Sequence, residues 1–231
     1  MVELDKSGPV ISGMFSRIAR RYDLLNHLLS ANSDRRWRKT AARALNGRHG
    51  RVLDLATGTG DLAIALEKDG RTVMGADFCL EMLAIARTKA GRRAARRVEF
   101  SAADALLLPF ADESFDAVTV GFGVRNFADL TRGLAEIRRI LKPGGKLLVL
   151  EFSQPGGPWG ALYRLYSESL LPRIGAIVSG SRQAYAYLNA SARAWPARDD
   201  FSGILARAGF SGVSARPLAL GVVALHEAVK P

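Results

Sequence analysis

The chain has 231 residues, 48% of them apolar and 24% charged, and a formal net charge of +11 at pH 7. That length and balance fit one globular domain with a sizeable core; they exclude a disordered chain and, with Cys79 as the only cysteine, a disulfide framework. No segment is apolar for long enough to cross a bilayer, residues 1–6 lack the cationic start of a secretion signal, and a reducing cytoplasm is the expected compartment. The positive charge gathers at 17–21, 35–39 and 87–97, surfaces that attract a polyanion, either nucleic acid or an anionic membrane face.

The first part, 1–48, reads as a helical cap. Phe15, Ile18, Ala19, Tyr22, Leu25 and Leu29 recur at helical spacing, and Ser33 or Asp34 is placed to cap a second helix through Trp37 and Ala41. From residue 51 strands and helices alternate. Strands are expected at 51–56, 71–77, 97–102, 115–121 and 145–152, with helices at 61–69, 79–90 and 129–141. Such alternation predicts an α/β fold with a mostly parallel sheet covered on both faces. Lys142, Pro143, Gly144 and Gly145 end the last of these helices. Residues 153–194 break the pattern, open on Pro155, Gly156, Gly157 and Pro158, and predict a helical insertion fit to act as a lid. The remainder, 195–231, predicts a helix at 197–209 and closing strands at 211–217 and 219–229. The whole is expected to form a single domain, with 51–152 as its ligand-binding sheet.

The stretch Arg51-Val-Leu-Asp-Leu-Ala-Thr-Gly-Thr-Gly-Asp61 runs from a buried strand into a glycine turn and a helix. Gly58 and Gly60 let the backbone turn sharply and approach a ligand that a Cβ would block. Gly58-x-Gly60-x-x-Ala63 fits the dinucleotide fingerprint, a weak match by itself. Acidic residues separate the readings. Asp54 lies inside the strand, and Asp61 follows the second glycine, where it would repel a pyrophosphate and attract a cation. Asp77 closes the next strand, where an acid meets ribose hydroxyls. Each alone could be a cap or a solvated strand end; together they favour S-adenosylmethionine, which carries a sulfonium and an ammonium group. Thr57, Gly58, Thr59 and Gly60 complete the expected cradle.

Asp104 and Ala105 follow the third strand, where they can meet a purine base, the carboxylate accepting from its amine and the amide donating to its ring. After the fourth strand, Gly121-Phe-Gly-Val-Arg-Asn126 stands where the reacting centre belongs. Arg125 there suits a carboxylate, a phosphate or a developing oxyanion, and equally a salt bridge to a neighbouring acid.

The chain resembles the bacterial ubiquinone/menaquinone biosynthesis C-methyltransferases. The resemblance rests on Tyr22-Asp-Leu-Leu-Asn26 with Leu29-Ser30, Arg35-x-Trp37-Arg38, the glycine motif, Leu108-Pro-Phe110, Phe122-Gly-Val-Arg-Asn126, Leu141-Lys-Pro-Gly-Gly145, Leu150-Glu-Phe-Ser153 and Tyr187-Leu-x-x-Ser191. Gly121 departs from the serine common there, and Trp195 from the phenylalanine. The resemblance implies a class I S-adenosylmethionine-dependent methyltransferase with a Rossmann-like sheet and an antiparallel closing hairpin. It implies C-methylation of a polyprenylated quinol without a metal. Asp54, Thr57, Gly58, Thr59, Gly60, Asp77, Asp104, Ala105 and Gly121 would hold the cofactor, Tyr22, Asn26 and Arg125 the substrate, and Arg125 with Asn126 would serve catalysis.

Arginine is too basic to act as the base itself, so Arg125 is expected to hold the phenolate or a water. His27 sits nearest the expected quinol pocket, His49 falls in a turn and His226 in a closing strand; no spacing suggests a metal site. Demethylmenaquinol is the favoured acceptor and 2-methoxy-6-polyprenyl-benzoquinol the second. A nucleic-acid methyltransferase and a cofactor-binding scaffold without chemistry are the competing readings. Against the former stands Gly121-Phe-Gly-Val, where a base-flipping motif would be, so no nucleic acid is expected as a partner. Transient contact with an anionic membrane is expected, on the inner face of the cell membrane. Whether the chain forms a homo-oligomer stays open.

Overall fold

The computed structural model describes residues 6–45, 47, 50–67, 70–165 and 182–231. Seven strands form one sheet: β1 (Arg51–Leu55), β2 (Thr72–Asp77), β3 (Val98–Ala102), β4 (Phe115–Gly121), β5 (Leu141–Phe152), β6 (Ser211–Leu218) and β7 (Val223–Val229). Their order is β3-β2-β1-β4-β5-β7-β6. The first five are parallel, and β7 runs antiparallel between β5 and β6. Strand order reverses at β1 and β4, which opens a crevice at their carboxyl ends.

Around the sheet lie α1 (Gly8–Leu29), α2 (Ser33–Arg43), α3 (Asp61–Leu66), α4 (Leu80–Arg92), α5 (Leu130–Ile140), α6 (Gly157–Leu165), α7 (Arg182–Ala194) and α8 (Arg198–Arg207). Alternation along the strands divides the core. Leu53, Leu55, Val118, Val120, Leu147 and Val149 face α5 and α8 through Leu134, Ile137, Phe201 and Leu205. Val52, Val73, Ala117, Leu148 and Leu150 face α2, the turn that follows it and α3 through Ala41, Leu45, Leu62 and Leu66. Phe201 is fully buried; truncation to alanine at such a site costs about 3–5 kcal/mol. Asp129 caps α5 by accepting from the Arg132 amide at 3.0 Å.

The cap meets the sheet where the crevice opens. Pro9 sits in the first turn of α1, where its missing N–H costs nothing. The helix buries Ile11, Ile18, Ala19 and Leu25, and Ala19 packs on Cys79 and Met82 at the start of α4. Cys79 is thus a buried core residue, and burial pushes its thiol pKa up. The second helix does not use Ser33 or Asp34 as its cap. Asn32, in the left-handed region at φ 61°, precedes it, and Asp34 points instead into a cluster of polar groups.

Other expected bounds shift. The strand expected at 219–229 starts at Val223, because Ala219–Gly221 form a 3-10 turn with Ala219 and Leu220 left-handed. The fifth strand reaches back to Leu141, which pairs with Phe115 before a bulge returns Lys146 to Ala117. The insertion supplies α6 and α7, while 166–181 and His49 lie outside the described residues.

Candidate functional site

A cavity of about 180 Å³ opens at the carboxyl ends of β1, β2 and β4. Asp54, Thr57, Gly58, Thr59, Asp77, Asp104, Ala105, Gly121 and Asn126 line it, so the turns after four strands converge as their spacing predicts. Gly60 is the expected residue that does not. At φ +82° it precedes α3, and a Cβ there would come within 3.0 Å of Ala86 and 3.1 Å of Phe100. Its glycine serves packing. Gly58, at φ +54°, has nothing within 4 Å of where a Cβ would stand, so open space lies beside the turn.

Asp77 is fixed from behind: its Oδ2 accepts from the Gly58 amide at 2.8 Å and its Oδ1 from the Cys79 amide at 2.9 Å. Burial raises its pKa, and these amides oppose the rise. Asp54 is buried within β1, accepting from Thr57 Oγ1 at 2.6 Å and Thr119 Oγ1 at 2.7 Å. Burial pushes its pKa up to about 6 despite both hydroxyls. A carboxylate left so poorly solvated is ready to be stabilised by a cation. Asp61 is less available than its place suggested, because Lys89 Nζ sits 3.0 Å and Arg93 Nη1 3.7 Å from its Oδ1. Thr59 is tied back in the same way, donating to Asp23 Oδ1 at 2.5 Å and accepting from Lys89. Asp104 is exposed and folds one oxygen onto the Leu106 amide at 2.9 Å.

A second cavity, of about 160 Å³, adjoins the first. Tyr22, Asn26 and Arg125 all line it, with Trp37, Phe152, Tyr163 and Leu188 supplying an apolar wall. Tyr22, Arg38 and Phe122 line both cavities and so divide them. Phe122 holds a left-handed φ of 58°, a strained state for a phenylalanine. Its ring lies between Trp37 at 6.0 Å and Phe152 at 5.1 Å, with the Arg38 guanidinium 5.8 Å from its centroid. Gly123 makes the bend feasible, since a Cβ there would stand 2.4 Å from that of Ala56.

Arg125 is not a free cation. Its Nη1 donates to Glu151 Oε1 and to the Phe122 carbonyl, both at 2.7 Å, its Nε faces Ser191 Oγ at 3.4 Å, and it stacks 5.1 Å from the Phe152 ring. Glu151 is fully buried; burial raises its pKa and Arg125 opposes that. Arg125 is therefore held rigidly in the second cavity's wall, while Asn126 turns to the first and accepts from Tyr187 at 3.3 Å. The two residues expected to act together face different cavities. Lys6 also reaches the first cavity, and burial followed by the nearby Arg125 charge lowers its pKa. His27 binds Asp34 through Nδ1 at 2.9 Å, and His226 donates from Nε2 to the Arg198 carbonyl at 3.0 Å. Among the described residues no cluster of histidine, cysteine and acids could hold a metal ion.

Sequence reasoning gave Phe122 no role, Asp34 only that of a helix cap and Arg38 only a place in a basic cluster. Trp37 and Arg38 belonged to a recognised motif, but a partition made by a left-handed phenylalanine has no periodic signature.

Residues 2–230 match the ubiE/COQ5 methyltransferase family. A demethylmenaquinone methyltransferase of Thermus thermophilus is 51% identical over 94% of the chain and its own full length. One from Deinococcus radiodurans is 50% identical over 88% of the chain and 86% of the relative. An S-adenosylmethionine-dependent methyltransferase of Thermotoga maritima superposes with a TM-score of 0.69 at 21% identity, covering 95% of this chain and 99% of that one. That likeness establishes the fold: a class I methyltransferase sheet with its antiparallel closing strand.

Proposed function

The chain belongs to the ubiE/COQ5 methyltransferase family, and from that premise we propose that it methylates a ring carbon of demethylmenaquinol with S-adenosylmethionine in respiratory quinone biosynthesis. The relatives named for that activity support the acceptor. The observation that carries the reading is the pair of adjacent cavities that share Phe122 in their lining, one acidic beside a glycine turn and one apolar with arginine in its wall. The residues fit the cofactor: open space at Gly58, a carboxylate at Asp77 for ribose hydroxyls, and a poorly solvated Asp54 for the cationic end. When bound, S-adenosylmethionine supplies an electrophilic methyl group. Arg125 and Glu151 form a fixed dipole at the second cavity, and Arg125 donates there to a ring oxygen of the quinol. Phe122, Trp37 and Tyr163 enclose the ring and keep water from it. Quinone extracts from a deletion strain test this: demethylmenaquinone should accumulate and complementation should remove it, whereas normal menaquinone would refute the reading.

Asp54 gives a pH dependence with a definite sign. In the free protein it protonates near pH 6, and only its ionised form attracts a cation. Cofactor affinity should therefore fall as pH drops through 6, by about tenfold between pH 7 and pH 5. Because the folded pKa lies above the ordinary value of 3.8, Asp54 favours folding below that value and loses this contribution as pH rises through 6. Asp54→Asn should raise the melting temperature at pH 7.5, bind the cofactor more weakly and lose the pH trend. Calorimetry from pH 5 to 8 reads all three; a trend unchanged in the variant would remove Asp54 from the site.

A polyprenyl tail stays in the bilayer, and no helix among the described residues is long and apolar enough to cross it. We infer peripheral docking on the inner membrane face. On α1, Leu24 and Leu28 are 61% and 53% exposed on the side that carries Arg17 and Arg21, while Tyr22 and Asn26 line the acceptor cavity. On α6, Trp159 and Leu165 are exposed and Tyr163 lines that cavity. Apolar side chains thus flank its mouth, with the exposed Arg36 and Lys39 of α2 nearby. Each basic residue at an anionic surface contributes about 1 kcal/mol, screened by salt. Co-sedimentation with anionic vesicles should fall with salt and with charge reversal at Arg17, Arg36 and Lys39. Equal recovery on neutral and anionic vesicles would contradict docking. Arg38 is left out of that set because it pairs with Asp34 and divides the cavities.

A further inference from the structure

Ring methylation by this proposed reaction forms one carbon–carbon bond, breaks the donor's sulfur–methyl bond with its electron pair left on sulfur, and releases one proton. Something beside the acceptor must take the hydroxyl proton as the ring carbon attacks. Arg125 cannot, being ion-paired and too basic. Among the described residues lining the second cavity there is one carboxylate and no histidine, lysine or cysteine. That carboxylate is Asp34, 3% exposed.

We propose that Asp34 is the proton acceptor for the quinol hydroxyl, held in place by His27, Ser30 and Arg38. Ser30 Oγ donates to its Oδ1 at 2.9 Å, His27 Nδ1 donates to its Oδ2 at 2.9 Å, and Arg38 Nη1 closes on the same oxygen. His27 Nδ1 also lies 3.1 Å from Oδ1, so its single proton is shared between the two oxygens. A carboxylate offers about four acceptor positions, and the three donated hydrogens leave room for a substrate hydroxyl. Arg35 Nε lies 3.4 Å from His27 Nε2, which fixes that nitrogen as an acceptor and puts the imidazole proton on Nδ1, facing Asp34. The titratable and charged groups around Asp34 are His27 on α1, Arg35 and Arg38 on α2, and Arg125 across the cavity, with Lys6 beyond it in the first.

Burial works to raise the Asp34 pKa, but Arg38, His27 and Ser30 outweigh it and hold the carboxyl below the usual range. So weak a base does not ionise a resting phenol. It suffices as the ring carbon attacks, because the hydroxyl is then becoming that of a protonated ketone and strongly acidic. Its proton passes to Asp34 and leaves a neutral ketone. The hydrogen on the methylated carbon departs to solvent, Asp34 returns its proton to the ring oxygen, and the aromatic quinol and the carboxylate are both restored. One proton is released overall.

This rests on the quinol reading, and the test separates the two. Asp34→Asn keeps the shape and removes the base. Its turnover should fall 10²- to 10³-fold, with cofactor affinity unchanged, and should recover as pH rises toward the quinol's own ionisation. A purely structural role gives a loss that pH does not restore. Without cofactor, calorimetry should show the native protein binding 1-naphthol at least tenfold more tightly than 1-methoxynaphthalene, a preference the variant loses. Turnover within about threefold of native, or an equal preference in both proteins, would overturn Asp34 as the acceptor. If the native protein methylates no quinol, the functional reading falls first. If Asp34→Asn does not fold, the naphthol preference in His27→Gln, which removes one donor from the Asp34 carboxylate but leaves Ser30 and Arg38 on it, should persist; its loss would assign the cluster to folding alone.

Discussion

Arg125→Ala should lower turnover by about 10²- to 10³-fold, the usual consequence of removing one preorganised donor at the reacting oxygen, while cofactor affinity stays within about threefold. Arg125 lines the second cavity, and the first, proposed for the cofactor, is built from other residues. The same substitution strands Glu151, fully buried and with Oε2 already lacking a partner, so stability should also fall by about 3–5 kcal/mol. The double variant Arg125→Met, Glu151→Leu separates the effects. Replacing a buried pair with apolar side chains of similar size is often neutral, so it should melt near the native temperature and remain inactive. A double variant that is both stable and active would show that Arg125 serves the fold alone. Collapse of cofactor affinity with turnover intact at saturation would place Arg125 at the other cavity.

Asp77→Ala should weaken S-adenosylmethionine binding by roughly 2–3 kcal/mol, about 30- to 150-fold, because it strands hydroxyls that had a charged acceptor. The carboxylate also receives the Gly58 and Cys79 amides, so the variant loosens the turn itself. Asp77→Asn keeps one acceptor oxygen and should fall between the two. Calorimetry on folded variants decides: unchanged affinity in Asp77→Ala would mean that the ribose is held elsewhere.

The sheet was legible because buried parallel strands read as short apolar runs between glycine turns, as at Val52, Leu53 and Leu55. The closing strand was misjudged at its start. Ala-Leu-Gly-Val-Val-Ala-Leu over 219–225 is one apolar run, and only Gly221 hints at the 3-10 turn that Ala219 and Leu220 make in left-handed conformations. The acids around the glycine turn were placed by position, as their shared cavity shows, but their partners were not. Lys89 reaches Asp61 from 28 residues away, and Glu151 reaches Arg125 from 26. Such pairings come from crossovers between layers, and no local pattern announces them. For the same reason Asp34 read as a helix cap, when the turn before α2 sends it toward His27 and Arg38.

Methyl transfer to a ring carbon is tested most directly with purified protein, methyl-labelled S-adenosylmethionine and a short-chain demethylmenaquinol kept reduced in anionic vesicles. The label should appear in the extracted lipid as a single methyl group on the naphthoquinone ring, resistant to ether cleavage. Label on oxygen, label in added RNA, or no transfer with cofactor demonstrably bound would contradict it.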